Sequence, residues 1–277
     1  MRNASEPAGL PVSLRVPDRC PAGAEPFVHT GGRGGALVLH GLTGSPWEVR
    51  PLADALASAG FSVALPVLAG HATSVRALQG TGWRDWLTSA EAALGWLDGR
   101  CDRVHMVGLS MGALLALLLA RHRTPPVASV ALLATALHLH AWQRAAIGAL
   151  ARLGWPDVLG KDAPDLPGAA RPPCYDAIPL GAVAQLEDLQ DVVRQGLAPL
   201  ACPALALHGE ADRTIPCGPV LAELSARLGP RLIADALPRV GHLLPRTTAG
   251  GQVVRRVVDH VVAADRLWLR NLTAKDD

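Results

Sequence analysis

The stretch Gly108-Leu109-Ser110-Met111-Gly112 lies between an apolar run, Val104-His105-Met106-Val107, and a helix-forming stretch from Ala113 through Ala120. A serine on the sharp turn between a buried strand and a helix takes a strained backbone. The residues two before and two after it must therefore be nearly free of side chain. Gly108 and Gly112 meet that demand. Such a turn lifts the Ser110 hydroxyl above the sheet and points the free N–H groups of a helix N-terminus at one place, where negative charge can be held. The same five residues also fit a plain strand-to-helix turn with a solvent-exposed serine, so the surrounding sequence has to decide.

Before this turn, Ala36-Leu37-Val38-Leu39 reads as a buried strand running into His40-Gly41-Leu42-Thr43-Gly44-Ser45, where glycine lets backbone come close to a ligand. The backbone N–H groups of Leu42 and Met111 are then expected to converge as an oxyanion hole, each worth roughly a few kcal/mol in comparable sites. His40 is expected to be structural. After the turn, Pro203-Ala204-Leu205-Ala206-Leu207 is another short apolar run, followed by His208-Gly209-Glu210-Ala211-Asp212. A carboxylate at the C-terminal end of a parallel strand can reach an imidazole. Asp212 is the choice for it, with Glu210 the competing carboxylate. The strand-like Arg231 to Leu237 leads into Val240-Gly241-His242-Leu243, and His242 is the candidate base.

The chain has ten histidines. His71, after Ala69-Gly70, falls before the serine and is expected to pack or hydrogen-bond there. His105 lies within the strand and is expected to be buried. His122, His138, His140 and His260 fall on helical or inserted segments with no carboxylate partner in the local pattern. Only His242 completes the chain order Ser, Asp, His.

Taken in order, Leu39-His40-Gly41-Leu42-Thr43-Gly44, Ala69-Gly70-His71, Gly108 to Gly112, His208 to Asp212 and Gly241-His242 resemble the α/β-hydrolase superfamily. The likeness is to its small bacterial carboxylesterases and monoacylglycerol lipases, and it spans most of the chain. It implies Ser110 as nucleophile, His242 as base, Asp212 as orienting acid, and Leu42 and Met111 as oxyanion donors. The implied chemistry is acyl transfer through a covalent intermediate on an acyl ester, with no cofactor and no metal. One departure is Ala113, where many relatives have another glycine. Thioesterases and acyltransferases share this scaffold, and a hydrolase-like ligand-binding protein would keep its pocket without the chemistry. Epoxide hydrolases and dehalogenases carry an aspartate where this chain has Ser110.

Strand-like segments at Ala36 to Leu39, Phe61 to Leu65, Val104 to Val107, Val127 to Ala134, Ala204 to Leu207 and Leu232 to Leu237 alternate with helical ones. Those are Trp47 to Ala59, Trp83 to Leu97, Met111 to Arg123 and Gln252 to Leu267. The alternation predicts an α/β fold with a mostly parallel sheet and helices on both faces. Residues 1–30 are expected to form an arm leading into the sheet, and 31–277 one hydrolase domain. Within it, the proline-punctuated stretch 135–200 breaks the alternation and is expected to form a cap over Ser110. Trp142, Ile147, Leu150 and Ile178, with Leu137, Leu139, Leu153 and Trp155, could line an acyl pocket there, since a buried methylene gains roughly 0.8 kcal/mol.

Hydrophobic residues make up 49% of the 277, enough for a sizeable core, and a net charge of +2 leaves no electrostatic footprint for nucleic acid. The apolar run from Ala113 to Ala120 is far short of a membrane span, and Met1 to Pro26 lacks the apolar core of a secretory signal. The five cysteines are odd in number and lack metal-ligand spacing, which predicts free thiols and a cytoplasmic setting. The expected partner is a small acyl ester, and the expected assembly a monomer or homodimer.

Overall fold

A computed structural model describes residues 9–124, 126–141, 143, 158–160 and 172–273. Seven strands form the main sheet: β1 (Phe27–His29), β2 (Gly34–Leu39), β3 (Ser62–Leu65), β4 (Arg103–Leu109), β5 (Ser129–Leu133), β8 (Ala204–Gly209) and β9 (Leu232–Leu237). Their order is β1-β3-β2-β4-β5-β8-β9. Every neighbouring pair is parallel except β1 with β3. Between β5 and β8, the strands β6 (Val158–Gly160) and β7 (Ala177–Pro179) pair antiparallel on their own. The helices are α1 (Arg50–Ser58), α2 (Val75–Gln79), α3 (Trp83–Asp98), α4 (Met111–His122), α5 (Leu180–Gly196), α6 (Cys217–Leu228) and α7 (Gly250–Thr273).

Alternate residues of each central strand face opposite layers. Leu37, Leu39, Met106, Val130, Leu132 and Ala206 pack with Trp86, Leu97, Leu115, Leu189 and Leu224, which come from α3, α4, α5 and α6. Ala36, Val38, Val107, Leu109, Ala131 and Leu207 face Leu52 and Leu56 of α1 and Val253, Val257 and Val261 of α7. Both sides of the sheet are thus covered, which is why its strands read as unbroken apolar runs. The nucleophile candidate, the acid and the base all follow strands of this sheet at their C-terminal ends, where loops of an open α/β sheet assemble ligand sites.

The elements depart from the sequence expectation in a few places. The helix expected over Trp47 to Ala59 is a 3-10 turn at Pro46–Val49 followed by α1. Pro51 has no N–H to return to an earlier carbonyl, so the regular helix begins there. The last helix runs from Gly250 to Thr273, longer than its apolar stripe suggests. Strand β1 lies inside the expected arm, and Leu10 and Leu14 of that arm are buried. Ser13 fastens it to the loop after β3, its carbonyl accepting from the Val67 N–H at 2.9 Å.

At the N-terminal ends of the strands a charged cluster ties α7 to the sheet. Arg103 Nη2 donates to Asp265 Oδ2 at 2.8 Å, and His105 lies between Asp265 Oδ1 (3.1 Å) and Ser129 Oγ (2.8 Å). Burial works against the Asp265 charge, but the bonds from His105 and Arg103 hold its carboxyl below the usual range. His138, expected to have no carboxylate partner, bonds Glu223 through Nε2 at 2.6 Å. Glu223 lies on α6, far along the chain, so no local pattern could show the pairing. No described helix is long and apolar enough to cross a membrane.

Candidate active site

Ser110 caps α4 with φ 57° and ψ −116°, a left-handed backbone that a side chain rarely adopts. Its amide donates to the Leu133 carbonyl at 2.8 Å, and its carbonyl accepts from Ala113 and Ala136 at 3.1 and 3.2 Å. Those bonds to the neighbouring strand end hold the turn in place. The flanking glycines are required sterically. A Cβ on Gly108 would lie 2.3 Å from the Gly112 carbonyl oxygen, and one on Gly112 would lie 2.3 Å from that of Leu39. The Ser110 side chain is almost buried at 8% exposure, and its hydroxyl makes no hydrogen bond to a described residue. Met111 opens α4, so its N–H is among those with no acceptor inside the helix.

The acid and base come from adjacent strands. Asp212 follows β8, and His242 lies in the loop after β9. The two loops touch where Gly209 leaves no room for a side chain, a Cβ there falling 2.1 Å from the Val240 carbonyl oxygen. His242 Nδ1 donates to Asp212 Oδ2 at 2.7 Å. Asp212 Oδ1 accepts from the backbone N–H groups of Thr214 (2.8 Å) and Ile215 (2.9 Å), and His208 Nε2 adds a fourth partner, 3.1 Å from Oδ2. Burial alone would raise the Asp212 carboxyl. The positive charge that His242 can carry and the bonds from His208, His242 and Ile215 outweigh it and hold the group well below the usual carboxylate range. An ionised carboxylate here keeps the His242 proton on Nδ1, leaving Nε2 as a free base. Glu210, the competing carboxylate, is exposed to solvent.

Sequence alone does not single out His208. The only signal is its place four residues before Asp212 at a strand end, and its pairing depends on how the chain turns back after Gly209.

The loop after β2 approaches the serine closely. A Cβ on Gly41 would sit 3.3 Å from Ser110 Cβ and 3.7 Å from Oγ. Within this loop the Gly41 N–H donates to Glu48 Oε2 at 3.0 Å and the Thr43 N–H to His71 Nε2 at 3.2 Å. The Leu42 N–H between them makes no hydrogen bond to a described residue. His40 is fully buried, bonding the Gly41 carbonyl through Nδ1 (2.9 Å) and the Leu68 N–H through Nε2 (3.2 Å). Neither contact is legible from sequence, because each joins a side chain to a backbone N–H through the way the loop folds back.

Of the residues expected to line an acyl pocket, Ile178 is half-buried on β7 and paired in register with Leu159. Trp142, Ile147 and Leu150, with Leu153 and Trp155, lie outside the described residues. Leu137 is fully buried within the core cluster, and Leu139 packs against its margin.

A model of the alpha/beta hydrolase family matches residues 36–256. A thermostable monoacylglycerol lipase of Bacillus sp. strain H-257 is 36% identical over 199 residues, covering 71% of this chain and 78% of its own length. A carboxylesterase of Bacillus subtilis strain 168 is 24% identical over 193 residues, 69% of this chain and 77% of its own. Among solved structures, one described under LipS and LipT, two metagenome-derived lipolytic enzymes, superposes with a TM-score of 0.79 at 29% identity. It covers 87% of this chain and 98% of that one. With the family model matched from residue 36 to 256 and a relative 36% identical over 71% of the sequence, this chain belongs to the alpha/beta hydrolase family.

Proposed function

We propose that this protein is a serine carboxylic-ester hydrolase acting on short- to medium-chain acyl esters or monoacylglycerols. The observation that carries the reading is the 2.7 Å bond from His242 Nδ1 to Asp212, which reserves Nε2 for proton transfer. A serine hydroxyl is a weak nucleophile at neutral pH, so the imidazole takes its proton as Ser110 Oγ attacks the ester carbonyl carbon. The carbonyl oxygen gains the negative charge and is held by the N–H groups of Leu42 and Met111. Collapse breaks the bond to the alcohol oxygen, which leaves with the proton from His242, and an acyl-enzyme remains. Water then attacks that ester with His242 as base, and the carboxylic acid departs as the proton returns to Ser110.

The names of the relatives, a monoacylglycerol lipase and a carboxylesterase, support the substrate class. The segment 135–200, leaving after β5 and returning before β8, serves in this reading as a cap whose apolar side chains take the acyl group. Ser110→Ala is expected to abolish both labelling by a fluorophosphonate and turnover of p-nitrophenyl esters. Intact turnover in that variant would overturn the proposal. A series from acetate to palmitate would place the chain-length optimum, and no turnover at any length would remove the whole class.

A further inference from the structure

Three consecutive peptide groups around Leu42 are each held by a side chain. The peptide between His40 and Gly41 is held by Glu48, through the Gly41 N–H at 3.0 Å. The peptide between Leu42 and Thr43 is held by His71, through the Thr43 N–H at 3.2 Å. The middle peptide carries the Leu42 N–H, and its carbonyl, that of Gly41, accepts from His40 Nδ1 at 2.9 Å. In a trans peptide the C=O and N–H point in opposite directions. Fastening the Gly41 carbonyl to His40 therefore aims the Leu42 N–H away from that buried ring.

The protonation states are fixed by the partners. A backbone N–H only donates and a carbonyl only accepts. His71 sits between the Thr43 N–H at Nε2 and the Ala69 carbonyl at Nδ1 (3.0 Å), so it must be neutral with its proton on Nδ1. His40 is arranged in the same way, and burial pushes its pKa down to about 3. Glu48 is nearly buried, and Gly44 leaves it room, since a Cβ there would overlap its carboxylate.

Tyr175, returning from the segment between β5 and β8, joins the set. Its N–H donates to the Thr43 carbonyl at 2.9 Å. Its hydroxyl donates to the Gly70 carbonyl at 2.7 Å and accepts from the Thr73 N–H at 2.9 Å. Its ring stacks on His71 with centroids 6.5 Å apart and planes 13° from parallel. One residue of the inserted segment thus touches both the loop that bears Leu42 and the histidine that holds it.

We propose that Glu48, His71 and Tyr175 are positioning residues for the reaction: they fix the direction of the Leu42 N–H, and Tyr175 makes that direction depend on the seating of the inserted segment. The proposal rests on the ester-hydrolase reading, since it gives the Leu42 N–H a developing oxyanion to meet. Their contacts run to the peptide groups of the loop and to one another.

The test compares Glu48→Ala, Glu48→Gln, His71→Phe and Tyr175→Phe with the parent on p-nitrophenyl butyrate, each normalised to the sites titrated by a fluorophosphonate. Losing a whole oxyanion donor costs about 10²–10³ in kcat, so misaiming one is expected to cost roughly 10- to 100-fold in Glu48→Ala and His71→Phe. KM should stay within about twofold, because the donor acts on charge that exists only in the transition state. Inhibition by a trifluoromethyl ketone, which forms a tetrahedral adduct, should weaken in step with kcat/KM across the variants. Glu48→Gln, whose amide oxygen still accepts from Gly41, should recover most of the loss. Tyr175→Phe keeps the stacked ring and removes only the hydroxyl, so it stands in where His71→Phe fails to fold, with an expected loss of roughly 3- to 10-fold in kcat.

Unchanged kcat in Glu48→Ala and Tyr175→Phe at full site titre would overturn the proposal, as would a Glu48→Gln no better than Glu48→Ala. A parent without ester turnover, or a Ser110→Ala that retains it, would instead strike the hydrolase reading itself.

Discussion

Replacing Asp212 by asparagine tests the acid–base pair through its hydrogen-bond count. Oδ1 of Asp212 takes two backbone N–H groups, and Oδ2 takes His242 Nδ1 and His208 Nε2. Backbone N–H groups need an acceptor, so in Asp212→Asn the amide oxygen must face Thr214 and Ile215, and the NH₂ group must face the two imidazoles. His208 cannot adapt freely, because its Nε2 also lies 3.3 Å from the Ile215 carbonyl, which requires a proton there. His242 can adapt only by moving its proton from Nδ1 to Nε2, the nitrogen that receives the Ser110 proton in the proposed mechanism. Losing the correct tautomer in a Ser-His-Asp site costs roughly 10⁴ in kcat, about 5 kcal/mol of transition-state stabilisation. Two charge-assisted bonds are lost from the folded state as well, at about 1.5–3 kcal/mol each.

The pH dependence has a definite sign. The Asp212 carboxyl is held below its unfolded value, so its contribution to stability is present above the ordinary carboxylate range and is lost as pH falls through the folded value. Asp212→Asn should lose that acid-side dependence. The assays are kcat per titrated site, urea denaturation at neutral and acid pH, and ¹⁵N NMR of the His242 ring. A kcat within tenfold of the parent, or a His242 still protonated on Nδ1, would refute the reasoning.

Gly112→Ala would place a Cβ 2.3 Å from the Leu39 carbonyl oxygen and 2.7 Å from that of His40, so α4 must move off β2 at a cost of roughly 1–3 kcal/mol or more in urea denaturation. Gly181→Ala, on α5 with nothing within 4 Å, is the contrasting control and should gain roughly 0.4–1 kcal/mol. On the acid side, burial pushes His40 down to about 3 and His260 down to about 4. The unfolded chain therefore binds more protons below its ordinary histidine value of about 6.5, and stability should fall as pH drops from there toward 4. His260→Leu should remove close to one proton from that slope, measured by urea midpoints between pH 4.5 and 7; an unaltered slope would exclude His260 as a contributor.

The legible parts of the fold are those where burial is extreme. Strands β2, β4, β5 and β8 are covered on both faces, so their sequences are continuous apolar runs bounded by turn residues. Strand β1 has three half-buried residues at the sheet edge, too few for any period to register. Helix α5 buries Val183, Leu186, Leu189 and Val193 at helical spacing, but it follows a stretch so dense in proline that the periodicity is obscured. In the candidate site, Ser110, Asp212 and His242 can be proposed from sequence because each follows a recognisable strand and their chain order is restrictive. Glu48, His71, His208 and Tyr175 cannot. Their partners are backbone groups or carboxylates brought near by loop geometry, and a lone buried His or Glu carries no period or motif.

Strand β9, from which the His242 loop hangs, is paired on one side only among the described residues and leaves Ile233 59% exposed, whereas β4, which presents Ser110, runs through the middle of the sheet. Opening a sheet at its rim takes less free energy than opening its centre. On warming, the imidazole would therefore part from its carboxylate while the nucleophile's own strand stayed protected from hydrogen exchange. Heat inactivation would then report a fraying border, with the melting of the body following at a higher temperature.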